Sequence, residues 1–135
     1  MAVSRYTPAI TALLVAAALL TACGSSKPSY CSSLDDLKSS VSALPSTNVV
    51  QNGVSALKSA VTKVQDNANA VISDAKSDFP NESSALQSSV NTLVSSAKSL
   101  ATNPSASAVA QTVGDVSAVS TAVKNFSSAT SSKCS

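Results

Sequence analysis

Histidine and tryptophan are missing from the 135 residues, and aromatic residues make up only 3%. Without histidine, the usual general base for a serine or cysteine nucleophile is gone. A carboxylate di-metal bundle needs inward glutamates and a Glu-x-x-His pair, yet the chain holds one glutamate, Glu82. Zinc-ligand spacing and a glycine-rich phosphate loop are also lacking. No catalytic residue, cofactor or metal is therefore expected, and the chain does not read as an enzyme. Charge is scarce as well: Asp, Glu, Lys and Arg supply 12% of the residues, and the formal net charge is +2. Lys58, Lys63, Lys76, Lys98 and Lys124 are scattered singly, which leaves no basic patch for nucleic acid.

What is present is small and aliphatic. A core must come from Val, Leu and Ala, and Ser fills the polar positions. Four stretches carry these residues at helical spacing. The first has Leu34, Leu37, Val41 and Leu44, with Ser32 or Ser33 as cap and Asp35 or Asp36 behind it; Pro45 ends it. The second follows Asn48, a candidate cap. Its seam is Val50, Val54, Leu57, Val61, Val64, Ala68, Val71 and Ala75, with alternating steps of four and three. That is a heptad pattern. Gly53 interrupts it, so a clean start at Val54 is expected.

The third stretch, from about Asn81 to Thr102, repeats the pattern with Leu86, Val90, Leu93, Ala97 and Leu100. Pro104 suits the first turn of the fourth. The fourth carries Val109, Val113, Val116, Val119, Val123 and Phe126, with a phase slip between Val116 and Val119 near Gly114. Valine is common in strands, but strands need period two, and none of the four stretches has it. The expectation is all-α: an antiparallel four-helix bundle with heptad-like Val/Leu/Ala seams and a short first helix. Tyr30 and Phe79 read as end plugs of its core. Asp66, Asp74, Asp78 and Asp115 fall off the seams and read as solvated.

The N-terminal residues have a different character. Arg5 precedes an apolar run from Pro8 to Leu20, about 13 residues where roughly 20 are needed to span a bilayer. This is the size of a signal-peptide core. An ordinary secretory signal or an uncleaved anchor would look broadly similar. The run closes on Leu20-Thr21-Ala22-Cys23, followed by Gly24.

That quartet resembles the lipobox of bacterial lipoprotein precursors: leucine, a small or β-branched residue, glycine or alanine, then cysteine. The resemblance covers residues 1–24 only. It implies cleavage before Cys23 by signal peptidase II, a diacylglycerol on the Cys23 sulfur, and often a further acyl chain such as palmitate on its amine. Two or three chains anchor a protein where one binds only marginally. The expected organisation is then residues 1–22 as signal peptide, 23–30 as flexible tether and 31–135 as helical domain. The implied location is the cell membrane, lipid-anchored on the extracytoplasmic side.

Three cysteines are present. If Cys23 carries lipid, Cys31 and Cys134 remain as a pair in an oxidising compartment; the alternative is three unpaired thiols. In an up-down-up-down bundle these two positions adjoin. Helix lengths counted at about 1.5 Å per residue leave the chain end on the order of 20 Å from the level of Cys31. A tail that leaves the helix over Ser127–Lys133 and leads back to Cys31 is therefore expected.

The function expected from these features is a non-catalytic interaction or structural module of the cell envelope. Its partners are the membrane, through lipid on Cys23, and an envelope protein; nucleic acid is not among them. The alternative is a carrier that holds a lipid or other apolar ligand between the helices. A carrier calls for an apolar cavity of a few hundred Å³. An interaction module calls for a filled core and an exposed apolar strip.

Overall fold

A computed structural model describes residues 27–45 and 49–135, with backbone only at 49–52. The quartet ending in Cys23 and the candidate cap Asn48 lie outside the described residues. The elements are four helices: α1 (Ser29–Ala43), α2 (Val49–Ala75), α3 (Pro80–Thr102) and α4 (Ala106–Cys134). Among the described residues there is no strand, and no helix is long and apolar enough to cross a membrane. Each helix packs on the next, and α4 returns to pack on α1. At 15 residues α1 is the shortest, against 29 for α4.

Packing follows the aliphatic seams. Leu34, Leu37, Val41 and Leu44 are buried along α1 and its C-cap. In α2, Leu57, Val61, Val64, Ala68, Val71 and Ala75 are buried, and in α3 so are Leu86, Val90, Leu93, Ala97 and Leu100. Serine-rich helices have weak intrinsic stability, so burial of these stripes against one another holds them in place. Gly53 stands at φ 77° and ψ 174° inside α2 and breaks it, leaving a regular helix from Val54 onward. Tyr30, Phe79 and Phe126 gather in one aromatic group, with ring centroids 5.9 Å apart for the first pair and 6.1 Å for the second.

The helix starts differ from expectation. α1 begins at Ser29 behind Pro28, with no side-chain cap, so neither Ser32 nor Ser33 caps it. Burial of Tyr30 and Cys31 draws the helix one turn further back, and the expected tether residues Ser29 and Tyr30 belong to it. Pro104 lies before the fourth helix, where Ser105 is the cap and its hydroxyl accepts from the Ala108 amide at 3.1 Å. The first-turn proline is Pro80, which opens α3. Its missing N–H costs nothing there.

The phase slip in the fourth helix is absent. Its inward stripe, with Ala122 buried beside it, runs through Ala108, Thr112, Val116, Val119, Val123, Phe126 and Thr130, all buried or half-buried. From Thr112 onward these follow steps of four and three without interruption. Val109 and Val113 lie off that stripe and are 40% and 64% exposed. Ala108 and Thr112 take their places, and Thr130 extends the stripe past Phe126; each threonine hydroxyl donates to a carbonyl of its own helix, Ala108 O at 2.9 Å and Phe126 O at 3.0 Å. A threonine satisfied in this way brings only its apolar side to the core.

The bent-back tail is also absent: α4 is helical through Ser127–Lys133 to Cys134. The last turns stay helical because they pack: Thr130 is buried and its hydroxyl donates to Phe126 O at 3.0 Å, and Cys134 lies against the core.

Candidate functional site

Two regions of the described surface differ chemically from the rest, and α4 connects them. At its C-terminal end, Cys31 and Cys134 form a disulfide with Cα atoms 5.5 Å apart, across a sequence separation of 103. Because Cys31 lies in the first turn of α1, this bond ties the residues where the chain enters the fold to those where it leaves. A cleft of about 540 Å³ opens beside it, lined by polar residues such as Lys27, Asp35, Lys38 and Ser131. Lys38 and Asp35 pair across 3.6 Å on the exposed side of α1.

The other region is apolar. Val109 and Val113 are the exposed large hydrophobic residues among those described. They border a cleft of about 170 Å³ walled by Leu44, Leu57, Leu100 and Val116. This brings together the end of α1, the early part of α2, the end of α3 and the start of α4. α1 stops here, so the side of α4 that would face a longer first helix carries uncovered valine. From Val113 to Cys134 along α4 is about 31 Å at 1.5 Å per residue.

Polar contacts between helices fix the frame around these regions. The Ser96 hydroxyl donates to the Asp115 carboxylate, joining α3 to α4. Asp115 is therefore half-buried and paired, not solvated as its place off the seam predicted. Asp66, Asp74 and Asp78 are exposed, as are the five scattered lysines. The Asn67 amide donates to the Ser40 hydroxyl and, at 3.3 Å, to the Asp36 carbonyl, joining α2 to α1. The Ser29 hydroxyl donates to Asp74 at 3.1 Å.

Among the described residues, the buried hydroxyls of Tyr30 and Ser83 have no hydrogen-bond partner. Burial, with Asp78 adding to it, raises the pKa of the Tyr30 phenol above the usual value. Among the described residues no three acidic or cysteine side chains converge where a metal could sit.

Counting hydrophobic letters missed the exposure of Val109 and Val113 and the burial of Ser83, Ser96, Thr112 and Thr130. The available signal was phase: four residues back from Val116 is Thr112, not Val113.

The chain was compared with protein-family models, curated proteins and solved structures, and none of them matches it.

Proposed function

We propose that this chain is the precursor of a lipid-anchored extracytoplasmic protein that serves the cell envelope as a non-catalytic interaction module. Leu20-Thr21-Ala22-Cys23 supplies the anchor, and the residues after Gly24 supply a short tether. The four helices then alternate in direction as an antiparallel bundle. Short links at 76–79 and 103–105 support that orientation, as do the contacts of each helix with its chain neighbours and of α1 with α4. The disulfide between the start of α1 and the end of α4 supports it too.

The observation that carries the interaction reading is the uncovered valine pair beside the apolar cleft. Exposed apolar surface rimmed by polar residues marks places where another molecule docks. The tether enters near Cys31, so the patch is held on the order of 30 Å along α4 from the anchored end. The carrier alternative has less support. The apolar cleft, at about 170 Å³, is below the few hundred Å³ expected of a ligand pocket, and the larger clefts, of about 540 and 410 Å³, are lined mostly by polar residues.

Expression of the full chain with Cys23→Ser tests the anchor. The unaltered protein is expected in the membrane fraction with labelled palmitate incorporated, and the variant in neither state. Equal membrane association of the two would refute it.

A further inference from the structure

We infer that the partner of the Val113 patch is a second copy of this chain, docked α4 against α4. The inference rests on the reading of the chain as an anchored interaction module and names what it interacts with. A two-fold contact uses the same surface on both copies, so that surface must be complementary to itself. This patch holds both halves of such a fit. Val113 projects, 64% exposed, and beside it lies the recess of about 170 Å³ walled by Leu44, Leu57, Leu100 and Val116. Each copy's valine faces the other's recess.

Charge agrees with self-contact. From Ala106 to Val123 the only ionisable residue is Asp115, and its carboxylate is engaged by Ser96 within the chain. Along this part of α4 each copy therefore brings a single charge to the contact, a carboxylate held against Ser96 of α3.

Gly114 is the independent observation. Glycine weakens a helix interior relative to alanine, and nothing among the described residues requires it here. A Cβ built on Gly114 meets no atom within 4 Å, and the residue lies inside the continuous helix α4. Ala106, Ala110 and Gly114 recur at four-residue steps beside Val109 and Val113 and are all exposed. A second α4 backbone can approach closely along that line. Anchoring favours this arrangement: with both tethers at one end, a two-fold axis along the bundle leaves both copies on the same membrane. Confinement to that surface raises their effective concentration.

The test uses the full chain expressed in its lipid-anchored form. Ala110→Cys places a thiol on the proposed contact, and Ser95→Cys places one on the outward face of α3 as control. A short bismaleimide is applied to membranes with the native disulfide intact. The Ala110→Cys protein is expected to give a band of twice the monomer mass, at least tenfold stronger than the control. Adding Val113→Asp or Gly114→Leu is expected to reduce it at least tenfold while helix content by circular dichroism is unchanged. Equal yields from the two thiols, or a dimer band indifferent to Val113→Asp, would overturn the proposal. So would cross-linking to a protein of different mass, which would leave the interaction reading standing. Should the chain partition into the soluble fraction, the anchor reading fails, and the same ratio of yields there still decides the dimer.

Discussion

Tyr30 places a phenol in the core, where burial and the nearby Asp78 charge favour its neutral form. The hydroxyl has no partner, so it is desolvated without return. Tyr30→Phe is expected to leave stability unchanged or raise it by about 1 kcal/mol, read from urea denaturation. The pH dependence has a definite sign. The folded pKa is raised, so the Tyr30 contribution is intact below the unfolded value of about 10 and declines as pH rises through the higher folded value. The wild-type chain should lose stability above pH ~10, and the phenylalanine variant should lose less. Ser96 and Asp115 show the opposite case. Asp115→Ala leaves the buried Ser96 hydroxyl without its acceptor, and a loss of roughly 1–3 kcal/mol is expected.

At the scale of the element, the seams of α1, α2 and α3 were legible because their inward positions are almost all Leu, Val or Ala. Leu57 through Ala75 fall in the core as the heptad steps placed them. The fourth helix was misread because valine occurs on two of its sides and threonine does part of the inward work. Thr112 and Thr130 are polar as letters but bind their own helix carbonyls, so composition hides them. The candidate docking patch was invisible for the same reason: Val109 and Val113 were assigned to the core that they border. A pair of substitutions separates the two phases. Val119→Ala should cost about 2 kcal/mol, because it opens a cavity in a filled site. In the monomer at high dilution, Val113→Ser should cost less than about 0.5 kcal/mol, as surface changes do. Equal losses in chemical denaturation would restore the original phase. Among the described glycines, Gly53 is the one whose φ of 77° requires it; alanine there is expected to destabilise the chain by more than about 1 kcal/mol.

For the whole molecule, the disulfide closes nearly the entire described chain into one loop, its ends separated by 103 in sequence. In the chain-entropy model such a loop stabilises the fold by up to about 4.7 kcal/mol. A typical loss of about 2–4 kcal/mol on reduction should lower Tm by roughly 8–32 °C, since 1 kcal/mol corresponds to about 4–8 °C in a domain of this size. An unchanged melting curve after complete reduction would show that the bond adds nothing. The pairing of Cys31 with Cys134 was legible only through Cys23, whose removal from the count left two thiols. The proposed anchor and the proposed oxidising compartment accordingly depend on one another, while the outward-facing valine patch stands on the fold alone.

Intact-mass spectrometry of the protein recovered from cellular membranes addresses that dependence directly. The expected species starts at residue 23, carries the added mass of two or three acyl chains, and lacks the two hydrogens of the Cys31–Cys134 dithiol. A product that retains residues 1–22, or an unacylated chain found in the cytosol, would contradict the account.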